Sequence, residues 1–508
     1  MTGREWTVSE HPALVLGAAC LLLHLVVNNG YGAFSDELYF IVCGLHPQLG
    51  YVDQPPLVPW IAGASYNFFG TALLPLRFIP ALSMAATVAL TCDVARRLGG
   101  GVFSQWLSGT CVLLGGVFLV DGLLLSTDMM QPLTWLGCGW CLIRICESKD
   151  ERWWLAFGVI AGVSLLSKYL ILFYLAGLAV GILATPLRRS LAKPWIYLGA
   201  ATAFAFLAPS AWWQAAHGWP FFALGKAEVA TRNLALSPLV FAAQQVLFAG
   251  PASSLVWLAG LWHFTVRPRW PELRVFPIAY AAMAALFYVL HGKAYYLAPV
   301  YPVLLAGGAV AIEGWFGWRL ARGAVLGAVS VVGLLLAPLA LPVLPPQSYG
   351  AYARALGLSP GAAATEKGPQ SVLPLHLAGM FGWHEMAQKV SAVYRALPAR
   401  DRAHAVFYGR DYGEASAVEL FGKPLQGPPV YSGHNNFYLS PPEGDEGAVV
   451  IVLGDDVKPL MANYGSATVV GRIDAPYAEA WETGLSIYVL RNPRRPLVEI
   501  WPKLKYFD

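Results

Sequence analysis

Long apolar runs separated by short polar junctions occupy about the first two thirds of the chain. A transmembrane helix needs about 20 mostly apolar residues, and eleven segments approach that length. The fifth and sixth run together through Ser167-Lys168-Tyr169, so the boundary between them is the least defined. The pattern therefore predicts an α-helical membrane protein with about 11 transmembrane helices. The eleven segments are residues 12–29, 72–95, 102–120, 123–146, 153–167, 169–186, 195–216, 239–265, 275–291, 296–316 and 323–345.

Basic residues mark every second junction between these segments. The positive-inside rule assigns junctions rich in Lys and Arg to the cytoplasm. When the six such junctions are placed there, successive predicted spans cross the membrane in alternating directions. The N-terminus is then cytoplasmic and its apolar run is a retained first span, because no small-residue cleavage site precedes it. The six junctions carry Arg4, Arg96/Arg97, Arg144/Lys149/Arg152, Arg188/Arg189/Lys193, Arg267/Arg269/Arg274 and Arg319/Arg322.

The first external loop and the C-terminal region differ from the spans. Within loop 30–71, residues 36–46 and 56–69 are predicted to form short helices along the membrane interface. After residue 346 the chain is more polar and alternates strand-like runs, 447–454 and 485–490, with a helical pattern. We therefore predict two domains.

These domains are a transmembrane domain, residues 1–346, and a small α/β domain on the outer face, residues 347–508. The helical pattern of the second domain covers residues 384–397. Pro345-Pro346 is expected to be its linker, and 359–370 an exposed loop.

Composition narrows the class of protein. The chain is 56% hydrophobic and 13% charged, whereas soluble domains carry about 25% charged residues. The basic residues are spread along the chain, so nothing indicates a nucleic-acid partner. Cys138 and Cys141 match C-x-x-C inside an apolar run without a second pair, which favours packing over metal or redox chemistry.

Six charged side chains fall at or near span ends on the predicted outer face, where polar groups are costly and usually functional. Each also has a simpler structural explanation. Asp36 or Glu37 could cap a helix, Asp53 could be an N-cap, and Asp128 could tie two helices together. The lysines could extend toward the interface. The six are Asp36, Glu37, Asp53, Asp128, Lys168 and Lys293.

Together these charges describe a site that holds an anionic head group beside a general base or metal ligand. In the C-terminal region, Asp411, Glu414, His434 and Asn435 could contact an acceptor, or could simply belong to surface loops. No paired ligand spacing predicts zinc at the histidines.

Several motifs resemble the GT-C glycosyltransferases in their order and sidedness. They are Asp36-Glu37, G-Y-x-D-x-P-P at 50–56, S-K-Y at 167–169 and G-K-x-Y-Y-L-x-P-x-Y-P at 292–302. The runs 407–422 and 428–439 look like the C-terminal periplasmic part of many bacterial members. The nearest branch includes protein O-mannosyltransferases and the lipid A aminoarabinose and galacturonic acid transferases.

The resemblance implies a bacterial inner-membrane enzyme that transfers a sugar from a polyprenyl-phosphate donor to a lipid or glycan acceptor, with inversion. Asp36 matches the general base and Glu37 its companion. Asp53, like Asp128, is expected to face substrate, and relatives sometimes hold a divalent metal at the position of Asp53. The aminoarabinose transferase has a lysine after that acid, where this chain has Gln54.

The donor phosphate is expected to contact two lysines and two tyrosines. A general base is typically worth about 10²–10⁴-fold, and fixed cations stabilise a leaving phosphate. The sugar, the acceptor and the need for metal stay open. The phosphate-binding residues are Lys168, Lys293, Tyr295 and Tyr296.

Other functions compete with this one. A polyprenyl-linked lipid flippase also carries membrane charges, but usually near the midplane and often with internal repeats. A protein O-glycosyltransferase, an O-antigen ligase and a non-catalytic scaffold are further alternatives. The scaffold would need no Asp-Glu pair, and the ligase would be expected to depend on external arginines.

Overall fold

The computed structural model describes residues 11–358, 366–454 and 456–507. Each of the eleven apolar segments contains α-helix. Five helices, or up to eight counting bent pairs as one span, are long and apolar enough to cross a membrane in this part of the chain. The bundle helices are Pro12–Val27, Phe78–Arg97, Val102–Leu113, Gly116–Leu123, Gln131–Ser148, Trp153–Ser167, Ile171–Ala184, Pro194–Ala216, Pro238–Ala249, Pro251–Val266, Val275–Val289, Tyr301–Trp315 and Arg319–Ala340.

Several of the predicted spans differ from the sequence pattern. The segment 102–120 is two helices, Val102–Leu113 and Gly116–Leu123, that meet at 63°. The segment 239–265 is two helices, Pro238–Ala249 and Pro251–Val266, that meet at 106°, because Gly250 has φ +93° and proline follows it. The segment 123–146 is helical only from Gln131, so Asp128 lies in a turn before the helix.

The basic junctions of the bundle meet on one face. Arg97 pairs with Glu147 at 2.7 Å, which connects the second junction to the third. Lys149 lies 3.6 Å from Glu272, and Ser190 donates to Glu151 at 3.1 Å. The second to fifth junctions, which are predicted to share one side of the membrane, are therefore in contact. Arg4 of the first junction lies outside the described residues.

Apolar side chains cover much of the outside of the bundle. Leu239 is 80% exposed and Leu320 is 84% exposed. Exposed apolar surface on this scale is unusual for a soluble protein and typical of a lipid-facing one.

The first external loop folds as predicted into two helices, Ser35–Leu45 and Leu57–Phe69. The two helices cross so closely that only glycine fits at the crossing. A Cβ on Gly44 would lie 2.0 Å from the Pro59 carbonyl oxygen, and a Cβ on Gly63 would lie 2.5 Å from the Gly44 carbonyl carbon. The second helix has Pro56 as its N-cap, so Asp53 precedes the helix and does not cap it.

The C-terminal region contains a five-stranded mixed sheet. Its strands are β1 (Ala405–Gly409), β2 (Val430–Ser432), β3 (Val449–Leu453), β4 (Tyr464–Ile473) and β5 (Leu485–Pro493). The spatial order is β2-β1-β3-β5-β4, with β1 parallel to β2 and β3 and β5 antiparallel to β3 and β4. The strand-like runs 447–454 and 485–490 are thus strands β3 and β5.

Helices cover this sheet and connect it to the bundle. The predicted helix 384–397 is Trp383–Ala396, which packs against the helix Tyr412–Gly422. Tyr412–Gly422 in turn packs against the Ser35–Leu45 helix. Pro345-Pro346 begins the helix Pro346–Ala355. Of the loop expected at 359–370, residues 359–365 lie outside the described part of the chain.

Shorter elements complete the structure. The remaining α-helices are Leu73–Leu76, Pro220–Thr231, Leu375–Ala378, Ala399–Arg402, Lys458–Met461 and Leu497–Ile500. The 3-10 helices are Pro186–Ala192, Pro271–Arg274, Ala294–Val300, Lys423–Leu425, Asn435–Leu439 and Trp501–Lys503.

Candidate active site

A cavity of about 1910 Å³ lies between the bundle, the first external loop and the C-terminal region. Its bundle side is apolar, with Val120, Leu172 and Leu336 among the lining residues. Its other end is lined by charged and aromatic side chains from all three parts. Of the residues singled out in the sequence, Asp36, Asp53, Asp128, Lys168, Lys293, Tyr295 and Tyr296 line this cavity.

Asp36 is held by a residue of the C-terminal region. Its Oδ1 accepts a hydrogen bond of 2.8 Å from the Tyr412 hydroxyl. The Tyr412 amide in turn donates to His434 Nδ1 at 3.1 Å. Asp36 therefore does not cap the Ser35–Leu45 helix, and its carboxylate is aimed across the cavity toward the C-terminal region.

Asp53 has a parallel arrangement. Its Oδ1 accepts a hydrogen bond of 2.9 Å from the Tyr39 hydroxyl, and the Asn436 amide donates to the same hydroxyl at 3.2 Å. The rings of Tyr39 and Tyr412 lie 4.6 Å apart. Asp36 and Asp53 thus each accept a hydrogen bond from a tyrosine, and each of these tyrosines is hydrogen-bonded to a residue of segment 434–436.

Glu37 is directed away from the cavity. Its carboxylate pairs with Arg77 at 2.7 and 2.8 Å, and both side chains are fully buried. It also accepts from the amides of Phe34 at 2.9 Å and Leu125 at 3.0 Å. The bond from the amide of the N-cap residue Phe34 is one half of a capping box, so the cap interpretation fits Glu37 better than the catalytic one.

Lys168 reaches the cavity but is paired with a carboxylate. Its ammonium nitrogen lies 2.9 and 2.8 Å from the two oxygens of Asp128 and 5.0 Å from the centre of the Tyr296 ring. Asp128 therefore does tie two elements together. Both side chains are about one-fifth exposed, which leaves the ion pair accessible from the cavity.

Lys293 is paired in a similar way. Its ammonium group contacts Glu366, and Glu366 pairs through its backbone with Asn233. Tyr295 and Tyr296 follow Lys293 and lie edge to face, 4.9 Å apart. Both lysines thus carry a carboxylate partner.

Burial shapes the acid–base properties of the loop carboxylates. Desolvation raises the pKa of Asp36, although the Tyr412 hydrogen bond and the charges of Arg232 and Lys293 oppose it. Desolvation likewise raises the pKa of Asp53 to about 6, against the Tyr39 hydrogen bond. A carboxylate with a raised pKa is a stronger base, which suits proton abstraction near neutral pH.

One group of metal-type ligands occurs in the part of the chain that the structure describes. Asp411, Glu414 and Glu482 bring carboxylate oxygens within 4.8 Å of one another. However, Arg410 already pairs with Glu414 at 2.7 Å and with Glu482 at 3.4 Å. Asp53 belongs to no such group among the described residues, so its surroundings do not fit a three-ligand metal site.

The C-terminal residues named from the sequence have different positions. Asp411, His434 and Asn435 line the cavity, whereas Glu414 is buried behind it. The Asp411 side chain accepts from the Glu414 amide at 2.9 Å and caps the Tyr412–Gly422 helix.

Sequence reasoning missed Tyr39, Arg77 and Tyr412. None of the three belongs to a motif of its own. The only signal was that Tyr412 lies within the run 407–422.

Comparison with known proteins supports the resemblance. Residues 53–213 match the family model described as Dolichyl-phosphate-mannose-protein mannosyltransferase. A 206-residue stretch is 26% identical to the lipid A galacturonosyltransferase RgtD of Rhizobium johnstonii. That stretch covers 40% of this chain and 43% of the relative, so the match spans less than half the length of this curated protein.

The fold matches that of solved structures over nearly the whole chain. Crystal structures of ArnT from Cupriavidus metallidurans, one bound to undecaprenyl phosphate and one in the apo state, each give a TM-score of 0.59. The alignments cover 94% of this chain and 99% of ArnT at 15% identity. The chain therefore has the fold of ArnT, and the resemblance found in the sequence extends to the fold.

Proposed function

We propose that the protein is a membrane glycosyltransferase that moves a sugar from a polyprenyl-phosphate donor to a cell-envelope acceptor. The observation that carries this proposal is the cavity in which Asp36 shares one space with Lys168, Lys293 and an apolar groove. An apolar groove suits the polyprenyl chain, the lysines suit its phosphate, and the carboxylate suits an acceptor hydroxyl. The similarity to RgtD and to ArnT supports this substrate class.

Asp36 is the proposed general base. It takes the proton of the acceptor hydroxyl while the acceptor oxygen bonds to the anomeric carbon, and the bond from that carbon to the phosphate oxygen breaks. Attack from the opposite face inverts the anomeric centre. The tyrosine hydrogen bond fixes the direction of the Asp36 carboxylate, which favours a near-attack geometry.

Lys168, Lys293, Tyr295 and Tyr296 are the proposed contacts to the leaving phosphate. Stabilising the charge that develops on that group lowers the barrier. Asp128 keeps Lys168 oriented before substrate arrives. Asp53 is assigned to the substrate side of the cavity, and Glu37 to the structural support of the loop rather than to catalysis.

The topology is proposed from the charge distribution. The linked basic junctions are assigned to the cytoplasm and the cavity mouth to the periplasm of a bacterial inner membrane, with about eleven spans. The chain divides near residue 346 into a catalytic transmembrane domain and a periplasmic α/β domain. The acceptor is proposed to be lipid A, lipopolysaccharide core or another envelope lipid or glycan.

Mass spectrometry of lipid extracts tests the function. Cells producing the wild-type protein are compared with cells producing Asp36→Asn and, as a matched control, Asp445→Asn, whose carboxylate is 76% exposed. A sugar mass added to an envelope lipid in wild-type and control cells, but absent with Asp36→Asn, is the expected result. The same addition with Asp36→Asn contradicts the assignment of the base.

Two alternatives predict different outcomes in the same cells. A protein O-glycosyltransferase leaves the lipids unchanged and adds the sugar to proteins. A flippase leaves both unchanged and redistributes a polyprenyl-linked lipid across the membrane. The charges of this chain gather at one end of the cavity, which favours transfer over transport.

A further inference from the structure

Glu479 is a buried carboxyl group at the charged end of the cavity that the proposed chemistry does not use. Its side chain is 6% exposed, and it lines the cavity together with Trp481. Within the described part of the chain, its carboxyl makes no hydrogen bond. Buried polar groups are nearly always hydrogen-bonded to protein or to ordered water, so a carboxyl without a protein partner finds its hydrogen bonds in the cavity.

The position of Glu479 is fixed next to the proposed base. A Cβ on Gly379 would lie 2.7 Å from Glu479 Oε1 and 2.4 Å from the Phe34 ring. The Gly379 carbonyl accepts a hydrogen bond of 3.1 Å from the Ser35 amide. The Glu479 carboxyl therefore lies against the segment that begins the helix of Asp36.

Neighbouring segments hold Glu479 in this place. The Ala480 amide donates to Ser371 Oγ at 2.9 Å, and the Glu482 amide donates to the Glu479 carbonyl at 2.8 Å. These bonds use the backbone around Glu479 and leave its side chain directed at the cavity. Such a carboxyl is pre-organised for a ligand.

We propose that Glu479 binds a hydroxyl group of a substrate sugar, so that the C-terminal region supplies a substrate contact beside Asp36. This inference rests on the proposed function. The chemical class is a polyhydroxylated sugar ring, whether of the donor or of the acceptor, since both meet at Asp36. Trp481, which is half-buried, lines the same cavity.

The protonation of Glu479 supports this role. Burial raises the pKa of Glu479 to about 8, and the negative charges of Asp411, Asp36 and Glu366 add to this rise. The positive charge of Arg232 opposes it. The carboxyl therefore holds a proton near neutral pH. It can donate one hydrogen bond to a sugar hydroxyl and accept another.

Steady-state kinetics of full-length protein in membranes test this proposal. The lipid product and its donor and acceptor are first defined with the wild-type protein, and donor and acceptor are then varied separately. The variants are Glu479→Gln, which keeps a donor and an acceptor, Glu479→Ala, which removes both, and the control Glu499→Gln on an exposed carboxylate.

Glu479→Ala is expected to raise KM for one substrate by about tenfold, with a smaller rise for Glu479→Gln and none for the control. A rise confined to the donor assigns the contact to the donor sugar, and a rise confined to the acceptor assigns it to the acceptor. Wild-type KM values for both substrates in both variants overturn the proposal. If Glu479→Ala does not fold, the KM of Glu479→Gln alone decides.

Failure of the proposed function gives a different result. In that case the wild-type protein makes no glycosylated product at all. Loss of kcat with unchanged KM in both variants indicates a structural role for Glu479 and also overturns the substrate contact.

Discussion

The Tyr412 hydroxyl donates a hydrogen bond of 2.8 Å to Asp36 Oδ1, across 376 positions of sequence. The C-terminal region therefore takes part in the geometry of the loop that follows the first apolar helix. Because the donor is fixed by the His434 contact to its backbone, the bond restrains the carboxylate as well as stabilising its charge.

Replacing Tyr412 with phenylalanine tests this restraint. Tyr412→Phe is expected to lower kcat by about tenfold and to leave donor affinity unchanged, because only the base loses its orientation. Activity assays on membranes measure both quantities. Tyr431→Phe is the matched control, since its hydroxyl bonds to Glu446 at 2.6 Å outside the cavity; equal losses in the two variants refute the restraint.

Tyr412→Phe is also expected to change the pH dependence of kcat. Asp36 must be ionised to act as base, and burial raises its pKa while the Tyr412 hydrogen bond lowers it. Removing that bond raises the pKa further, so the acidic limb of the kcat profile is expected to move to higher pH. An acidic limb that stays in place, or moves to lower pH, contradicts the assignment of Asp36 as the titrating base.

The buried pair of Glu37 and Arg77 predicts a loss of stability rather than a specific loss of chemistry. Glu37→Gln leaves the fully buried Arg77 without its charge partner, which typically costs about 3–5 kcal/mol. Thermal unfolding in detergent should show a lower midpoint for Glu37→Gln and a wild-type midpoint for Asp474→Asn, an exposed pair with Arg472. A stable but inactive Glu37→Gln would instead restore Glu37 as a catalytic candidate.

Lys168 and Asp128 are expected to respond differently to substitution. Lys168→Met removes a cation from the proposed phosphate site and should weaken binding of undecaprenyl phosphate by tenfold or more. Asp128→Asn leaves the cation and should weaken binding less. Ligand-induced stabilisation of purified protein measures both, with Lys149→Met as control because that side chain is 66% exposed on the basic face. Equal binding by Lys168→Met and wild type contradicts a phosphate contact.

Glu479 predicts a pH-dependent stability. Its pKa is raised from 4.5 to about 8, so the folded state holds a proton between these values that the unfolded state has released. Stability from this group is full below pH 4.5 and is lost as pH rises toward 8. Glu479→Gln should therefore raise the unfolding midpoint relative to wild type at pH 8 and not at pH 4.5. A pH-independent difference between the two proteins contradicts the raised pKa.

Much of the fold could be predicted from the sequence because its signals are local. Twenty-residue apolar runs become helices in a bundle, and the alternating runs 447–454 and 485–490 become strands of one sheet. The break at Gly250-Pro251 was also visible as a helix-breaking dipeptide. The mean hydropathy of the segment does not reveal this bend, because it averages over both helices.

The pairing of charges could not be predicted, because it depends on contacts between distant segments. Asp36 and Glu37 are adjacent and alike in the sequence, yet one faces the cavity and the other meets Arg77, 40 residues away. Successive residues of a helix point about 100° apart, so the two side chains reach different surroundings. Arg77 binds one of them and Tyr412 the other, and neither partner carries a motif.

Turnover and ligand binding by purified Asp36→Asn most directly test the central claim that Asp36 is the base of a polyprenyl-phosphate-dependent transfer. We predict that the variant binds undecaprenyl phosphate as the wild-type protein does and unfolds at the same temperature, but transfers sugar at least 10²-fold more slowly. Transfer at the wild-type rate by a folded, ligand-binding Asp36→Asn protein would contradict it.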